Sequence, residues 1–184
     1  MNDKIVFIII MIYKISLSFC EKSKIFPLYK IALSPNLSQI TKKSNYNLIV
    51  NDLKGIGLIF DSESEINLIP QQLMKYIYLY YNHFEETVVD YIQKEDGNME
   101  LILYYYYGGT ESLHFIFENI GISIPINDLL IYEDNLHTFK FMTKENQENI
   151  IIGKELIELI GIDLKDLNKF IVNEKYISKI EEED

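Results

Sequence analysis

From Tyr46 onward, apolar and polar residues alternate in short runs, a period that lays successive side chains on opposite faces of a strand. Residues 46–53, 56–61, 87–93, 99–107, 112–118 and 120–124 share this texture and are rich in β-branched and aromatic residues, so each predicts a strand. Glu95-Asp96-Gly97-Asn98 and Gly108-Gly109 fall between runs and predict turns. Two stretches break the alternation. After Pro70, which suits the first turn of a helix, Leu73, Ile77 and Tyr81 recur every four residues along what would be one helical face. A shorter helix is predicted over 154–158, following the apolar run Ile150-Ile151-Ile152-Gly153. The pattern predicts a mainly β single domain with two short helices and no internal repeat.

The N-terminal residues read differently. Lys4 precedes an apolar run from Ile5 to Tyr13, and Ser16-Leu17-Ser18-Phe19-Cys20 offers small residues for cleavage. Residues 1–20 thus have the layout of a secretory signal peptide, with a run short for a membrane span. Lys14 interrupts the run, and an uncleaved anchor or a buried strand would have a similar composition. Residues 21–45 are polar with scattered apolar positions, Pro27, Pro35 and the glycosylation sequon Asn36-Leu37-Ser38; they read as a linker or pro-segment-like stretch. The domain would then occupy 46–177, and 178–184 would form an acidic tail. Secretion is the expected localisation. Cys20 is the only cysteine and falls at the expected cleavage point, so a mature chain would hold neither an internal disulfide nor a thiolate nucleophile.

Composition narrows the partners. The chain has 184 residues, 48% of them hydrophobic, enough for a buried core. A formal charge of -11 argues against nucleic acid or an anionic membrane surface as the main partner. Ile, Asn, Lys and Tyr abound, Ala32 is the only alanine, and arginine and tryptophan do not occur. That bias is the mark of an AT-rich genome, and the tyrosines at 104–107 are read as part of it.

Candidate chemistry concentrates between Leu58 and Pro70, where an apolar strand delivers Asp61 into a small polar loop and a second apolar strand leaves it. A hairpin tip with solvated acids and a functional loop both fit this pattern. In an extended backbone Asp61, Glu63 and Glu65 would share one face, but the ligand spacing of a calcium loop is missing, and no metal or cofactor is expected. His83, His114 and His137 have no metal-ligand spacing, and His114 sits within an apolar strand, where a surface or hydrogen-bonded core role fits it. Gly108-Gly109 is too short for a phosphate loop.

Ile59-Phe60-Asp61-Ser62-Glu63-Ser64 resembles the active-site block of the second lobe of pepsin-type aspartic proteases, two hydrophobic residues followed by Asp-Ser/Thr-Gly-Thr/Ser. In that lobe the next strand ends in proline and a helix, as Leu68-Ile69-Pro70 and the residues to Tyr81 do here. Leu113-His114-Phe115-Ile116-Phe117 and Ile122-Ser123-Ile124-Pro125-Ile126 are similar to the family's paired strands, with Asp128-Leu129-Leu130 following. Ile151-Ile152-Gly153-Lys154-Glu155-Leu156 resembles its hydrophobic-Leu-Gly-Asp-x-Phe block, and Ile162-Asp163-Leu164-Lys165-Asp166 its closing strand. The blocks fall in the family's order across residues 46–177. Lys24-Ile25-Phe26-Pro27-Leu28-Tyr29-Lys30-Ile31 resembles the basic pro-segment of such zymogens.

The resemblance implies one lobe of a pepsin-like β-barrel or sandwich, with Asp61 as the catalytic carboxylate. Ser62 would brace paired loops, and Ser64 would offer a hydroxyl beside Asp61. Catalysis in that family needs two carboxylates sharing a proton around one water, one from each lobe. One lobe supplies Asp61 alone and no flap. Glu63 replaces the family's glycine and Lys154 its aspartate. The resemblance therefore implies a catalytically impaired relative whose partner is a peptide, a protein or a second lobe. A homodimer that pairs two Asp61 loops, and a non-enzymatic secreted β-rich binding protein, are the alternatives.

Overall fold

The structure, a computed structural model, describes residues 25–34, 48–49, 55–82, 88–104, 106, 108–117, 120–166 and 169–179. The signal-like residues 1–20, the sequon at 36–38 and the final residues 180–184 lie outside these.

The chain is mainly β. Strands β1 (Ile25–Pro27), β2 (Lys30–Ser34), β3 (Leu48–Ile49), β4 (Gly57–Phe60) and β5 (Asn67–Leu68) precede helix α1 (Gln71–Asn82). Then come β6 (Val88–Gln93), β7 (Met99–Tyr104), β8 (Ser112–Ile116), β9 (Ile120–Pro125), β10 (Leu130–Glu133), β11 (Leu136–Thr143) and β12 (Ile150–Ile152). Helix α2 (Lys154–Ile160), the hairpin β13 (Asp163–Asp166) with β14 (Lys169–Ile171), and β15 (Ile177–Lys179) complete the described chain.

Two sheets carry the fold. One has the order β1-β4-β12-β5-β11-β7-β6, with β10 paired to the first half of β11. The other has the order β15-β9-β8-β2-β3. Their inner faces share one core, to which Leu58, Phe139 and Phe141 contribute from the first sheet and Leu113, Phe115 and Ile122 from the second. Phe115 and Phe141 meet near edge-to-face with ring centroids 6.3 Å apart, joining the two layers. Helix α1 buries Leu73, Met74, Ile77 and Tyr81, the face expected from its sequence with Met74 added. It ends at Asn82, one residue past Tyr81, the last residue of that buried face. Helix α2 stops at Gly161, whose φ of 66° lets its amide and that of Ile162 close on Glu158 and Ile157.

Two expected boundaries move, and one hairpin is added. Residues 25–34, within the stretch expected to precede the domain, supply β1, which pairs with β4, and β2, which lies between β8 and β3. The apolar residues scattered there are core: Phe26, Ile31 and Leu33 are buried. The acidic tail expected from Ser178 begins later, since Ser178 and Lys179 pair with Gly121 and Ile120 of β9. Just before them, Tyr176 is buried with its hydroxyl 3.0 Å from Asp128 Oδ2, which fixes the last strand. The hairpin β10–β11 was not among the predicted strands, although β11 is the longest strand described and lies inside the first sheet. Its turn rests on Asp134 and Asn135, with φ of 51° and 64°, the two-residue geometry that Asn and Asp tolerate best.

Candidate functional site

Strand β4 runs into the core with Leu58 and Phe60 buried, and its end delivers Asp61 half-buried at the sheet margin. The chain then turns through 61–66 and returns as β5. Between these two strands lies β12, parallel to β4 and antiparallel to β5. A strand from 90 residues further along the chain is thus threaded through the opening that the 61–66 loop spans, and α2 starts where it emerges.

The threading is held by backbone bonds. The Asp61 amide donates to Ile152 O at 2.9 Å, and the Lys154 amide donates to Ser64 O at 2.8 Å. Gly153 lies between them, buried; a Cβ there would stand 2.6 Å from Ile66 O and 2.7 Å from Ser64 O. Only glycine lets the backbone pass this close. Its own amide donates 2.8 Å to Asn67 Oδ1, and Asn67 Nδ2 donates 3.1 Å to Lys140 O of β11. Asn67 is 3% exposed, so a single buried side chain satisfies two main-chain groups, one of β11 and one at the start of α2.

Within the loop, Asp61 Oδ1 accepts the Glu63 amide at 3.0 Å, an Asx turn. Among the described residues the Asp61 carboxyl makes no other hydrogen bond. Ser64 Oγ donates to Ile66 O at 2.7 Å and accepts the Ile66 amide at 3.3 Å, so its hydroxyl is engaged by the loop and not by Asp61. Ser62, Glu63 and Glu65 are exposed. Because the loop turns here, the extended arrangement that would line up three carboxylates does not form. Lys154 is exposed at the first turn of α2, beside Glu155, whose carboxylate receives Lys140 Nζ at 2.6 Å.

Of the histidines, His83 lies outside the described residues. His114 is buried on β8, with Nδ1 2.7 Å from Ser123 Oγ across the β8–β9 pair. His137 packs against the rings of Tyr106 and Tyr132, at 5.6 and 4.8 Å. Among the described residues no group of three or more His, Cys, Asp or Glu side chains converges, and no helix is long and apolar enough to cross a membrane.

Two features escaped the sequence reading. Asn67 carried a signal: a polar residue in the apolar run Ile66-Asn67-Leu68-Ile69 must find partners if it is buried. The ring contacts of Tyr106 with Tyr81 of α1 and His137 of β11 carried none, because they join residues remote in sequence. What the Asp61 loop presents is one half-buried carboxylate on a rigidly braced turn, a geometry able to hold a water or accept a donor from a bound chain. No protein-family model matches the chain, and the comparison with curated proteins finds no match.

Proposed function

We propose that this chain is an exported, single-lobe relative of the pepsin-type aspartic proteases, with Asp61 as the retained acid, and that alone it binds peptides without cutting them. The observation that carries the reading is the passage of β12 between β4 and β5, with Gly153 against the Ser64 and Ile66 carbonyls. Such an arrangement serves a loop whose backbone must not move, which is what a positioned catalytic carboxylate requires. Asp61 at the end of an apolar strand, and the order of the surrounding blocks, add to it.

Inactivity follows from chemistry. Aspartic proteolysis uses one carboxylate as general base on a water while a second, protonated, polarises the scissile carbonyl. Here Asp61 accepts the Glu63 amide, and among the described residues no hydrogen bond joins it to a second carboxyl. Glu63 adds an exposed side chain at the position where a substrate backbone would approach. The second acid would come from another chain, either a complementary lobe or a second copy related by a two-fold axis.

The test is cleavage of a mixed peptide library by the full chain, from about pH 3, where paired carboxylates of this kind share one proton, to about pH 7, where they have lost it. It is run with and without pepstatin and beside Asp61→Asn. No cleavage by a folded sample that still retains peptides is the expected result. Cleavage abolished both by pepstatin and by Asp61→Asn would establish a two-chain active enzyme. Failure to retain any peptide would sink the reading.

A further inference from the structure

Both sheets end in strands whose outer backbone groups have no ladder partner among the described residues, and a free edge is a template for pairing with another chain. Most of these edges are too short to serve. Strands β1, β3, β10 and β15 run for three, two, four and three residues, and β1 ends on Pro27, which has no amide proton to offer. Strand β6 is different. It is six residues long, pairs with β7 along its whole length, and contains Val88, Val89, Tyr91 and Ile92, residue types that favour extended backbone.

The phase of the β6–β7 ladder follows from its turn. The Gly97 amide donates to Lys94 O at 3.0 Å and the Lys94 amide donates to Asn98 O at 2.8 Å, with Gly97 at φ 83°. That is a tight turn closed by a bulge, so Lys94 begins the bonded pairs and every second residue before it continues them. Ile92, Asp90 and Val88 therefore turn their main-chain groups toward Glu100, Ile102 and Tyr104 of β7. Gln93, Tyr91 and Val89 turn theirs outward. The Tyr91 amide, at the middle of that outward row, donates 2.7 Å to Oδ1 of its neighbour Asp90. Side chains divide by face. Val89 is buried and Tyr91 half-buried, its ring 6.1 Å from that of Tyr78 on α1, whereas Asp90, Ile92 and Gln93 are exposed.

This edge is complementary to itself. In an antiparallel pair of copies about a two-fold axis at Tyr91, Val89 of one copy meets Gln93 of the other, and Asp90 stands beside Ile92. No like charges face each other in that register. The obstacle is the Asp90 carboxylate, which occupies the central amide and loses water if a second backbone approaches. We propose that Asp90 is the guard that keeps β6 from pairing with β6 of a second copy of this chain. Its oxygen takes the donor at the centre of the would-be interface. Its charge is the only one in residues 88–93, a stretch otherwise neutral and rich in β-branched and aromatic residues. Strands β12, β5, β11 and β7 separate β6 from β4, so a dimer formed at this edge would leave the Asp61 loops apart.

The experiment is sedimentation velocity of the full chain from about 1 to about 100 µM, with far-ultraviolet circular dichroism to establish that each variant is folded. Asp90→Val should self-associate about tenfold or more tightly than the natural chain. Adding Gln93→Pro, which removes an outward donor without breaking a bond to β7, should abolish the gain. The same proline in the natural chain should leave its sedimentation unchanged. A measurement on the natural chain needs no variant: relative to its intrinsic rate, the Tyr91 amide should exchange hydrogen more slowly than the Gln93 amide. Asp90→Val sedimenting as the natural chain does, association undiminished by the proline, a proline effect on the natural chain, or equal protection of the two amides would each overturn the proposal.

Discussion

Gly153→Ala is the sharpest perturbation of the candidate site, because its cost can be worked from geometry. The glycine has φ −83° and ψ −179°, extended values that alanine adopts freely, so no backbone penalty arises. The whole cost is steric. The added methyl meets two main-chain oxygens at 2.6 and 2.7 Å, well inside contact distance, and neither belongs to a side chain that can swing away. To relieve the overlap, the 61–66 loop and β12 must separate. That strains the Asp61 amide to Ile152, Lys154 amide to Ser64 and Gly153 amide to Asn67 bonds. Overpacking of this kind costs about 1–3 kcal/mol, and weakening buried hydrogen bonds about 1 kcal/mol each. A loss of about 2–4 kcal/mol is expected, or roughly 6–12 °C in Tm near the middle of that range. The comparison is Gly97→Ala, at φ 83° with nothing within 4 Å, where the conformational penalty of about 1 kcal/mol stands alone. Urea titrations followed by tyrosine emission give both values, since the chain has no tryptophan. A Gly153→Ala protein no less stable than the Gly97→Ala protein would refute the close packing of β12 on the loop.

Other consequences follow from the polar contacts. Asn67→Ala removes the partner of two buried main-chain groups and should cost about 2–4 kcal/mol by the same urea assay. Asn67→Asp keeps an acceptor for the Gly153 amide but sets a buried carboxylate against Lys140 O; only its protonated form can donate there. Its folded-state pKa should rise above the unfolded value near 4, so this variant should be most stable in acid and lose stability as pH rises; a stability unchanged between acid and neutral pH would contradict the bridging role. At the opposite extreme, burial first, and then Tyr106 and Glu111, hold the phenols of Tyr80 and Tyr81 above their ordinary range. The folded chain therefore retains protons that the unfolded chain releases near pH 10, and stability should fall as pH climbs from about 10 toward 12. Tyr81→Phe should reduce that alkaline loss, measured by denaturant midpoints at successive pH values.

Much of the local structure could be read from residue pattern because its causes are local. The α1 face follows from the spacing of Leu73, Ile77 and Tyr81, the α2 start from Gly153 and Lys154, and the β6–β7 hairpin from Asp96 and Gly97. Strands β8 and β9 were equally plain, since Leu113, Phe115, Ile122 and Ile124 alternate with less apolar residues. The misses have physical reasons too. In 25–34 the apolar residues were too few to announce two strands, because their pairing partners, β4 and β8, lie far along the chain. The turn at Asp134-Asn135 was a legible hairpin signal that the polar sequence around it obscured. At the candidate site, the sequence singled out Asp61, Ser62 and Ser64 but not the direction of their bonds. Ser64 turns back on its own loop, a choice set by local backbone geometry that composition does not encode.

By itself, then, the sequence determined a mainly β chain, the positions of its two helices, and one acidic loop at the end of an apolar strand. Those features depend on periods of two and four residues and on the conformational limits of Gly, Pro, Asn and Asp. Tertiary structure alone decided that β12 passes between β4 and β5, that Gly153 must therefore lack a side chain, and that Asn67 bridges β11 and the start of α2. It likewise gathered Tyr81, Tyr106, Glu111 and His137 from three separate elements. Contacts between residues so far apart are fixed by the simultaneous burial of both sheets, which no short stretch of sequence can specify.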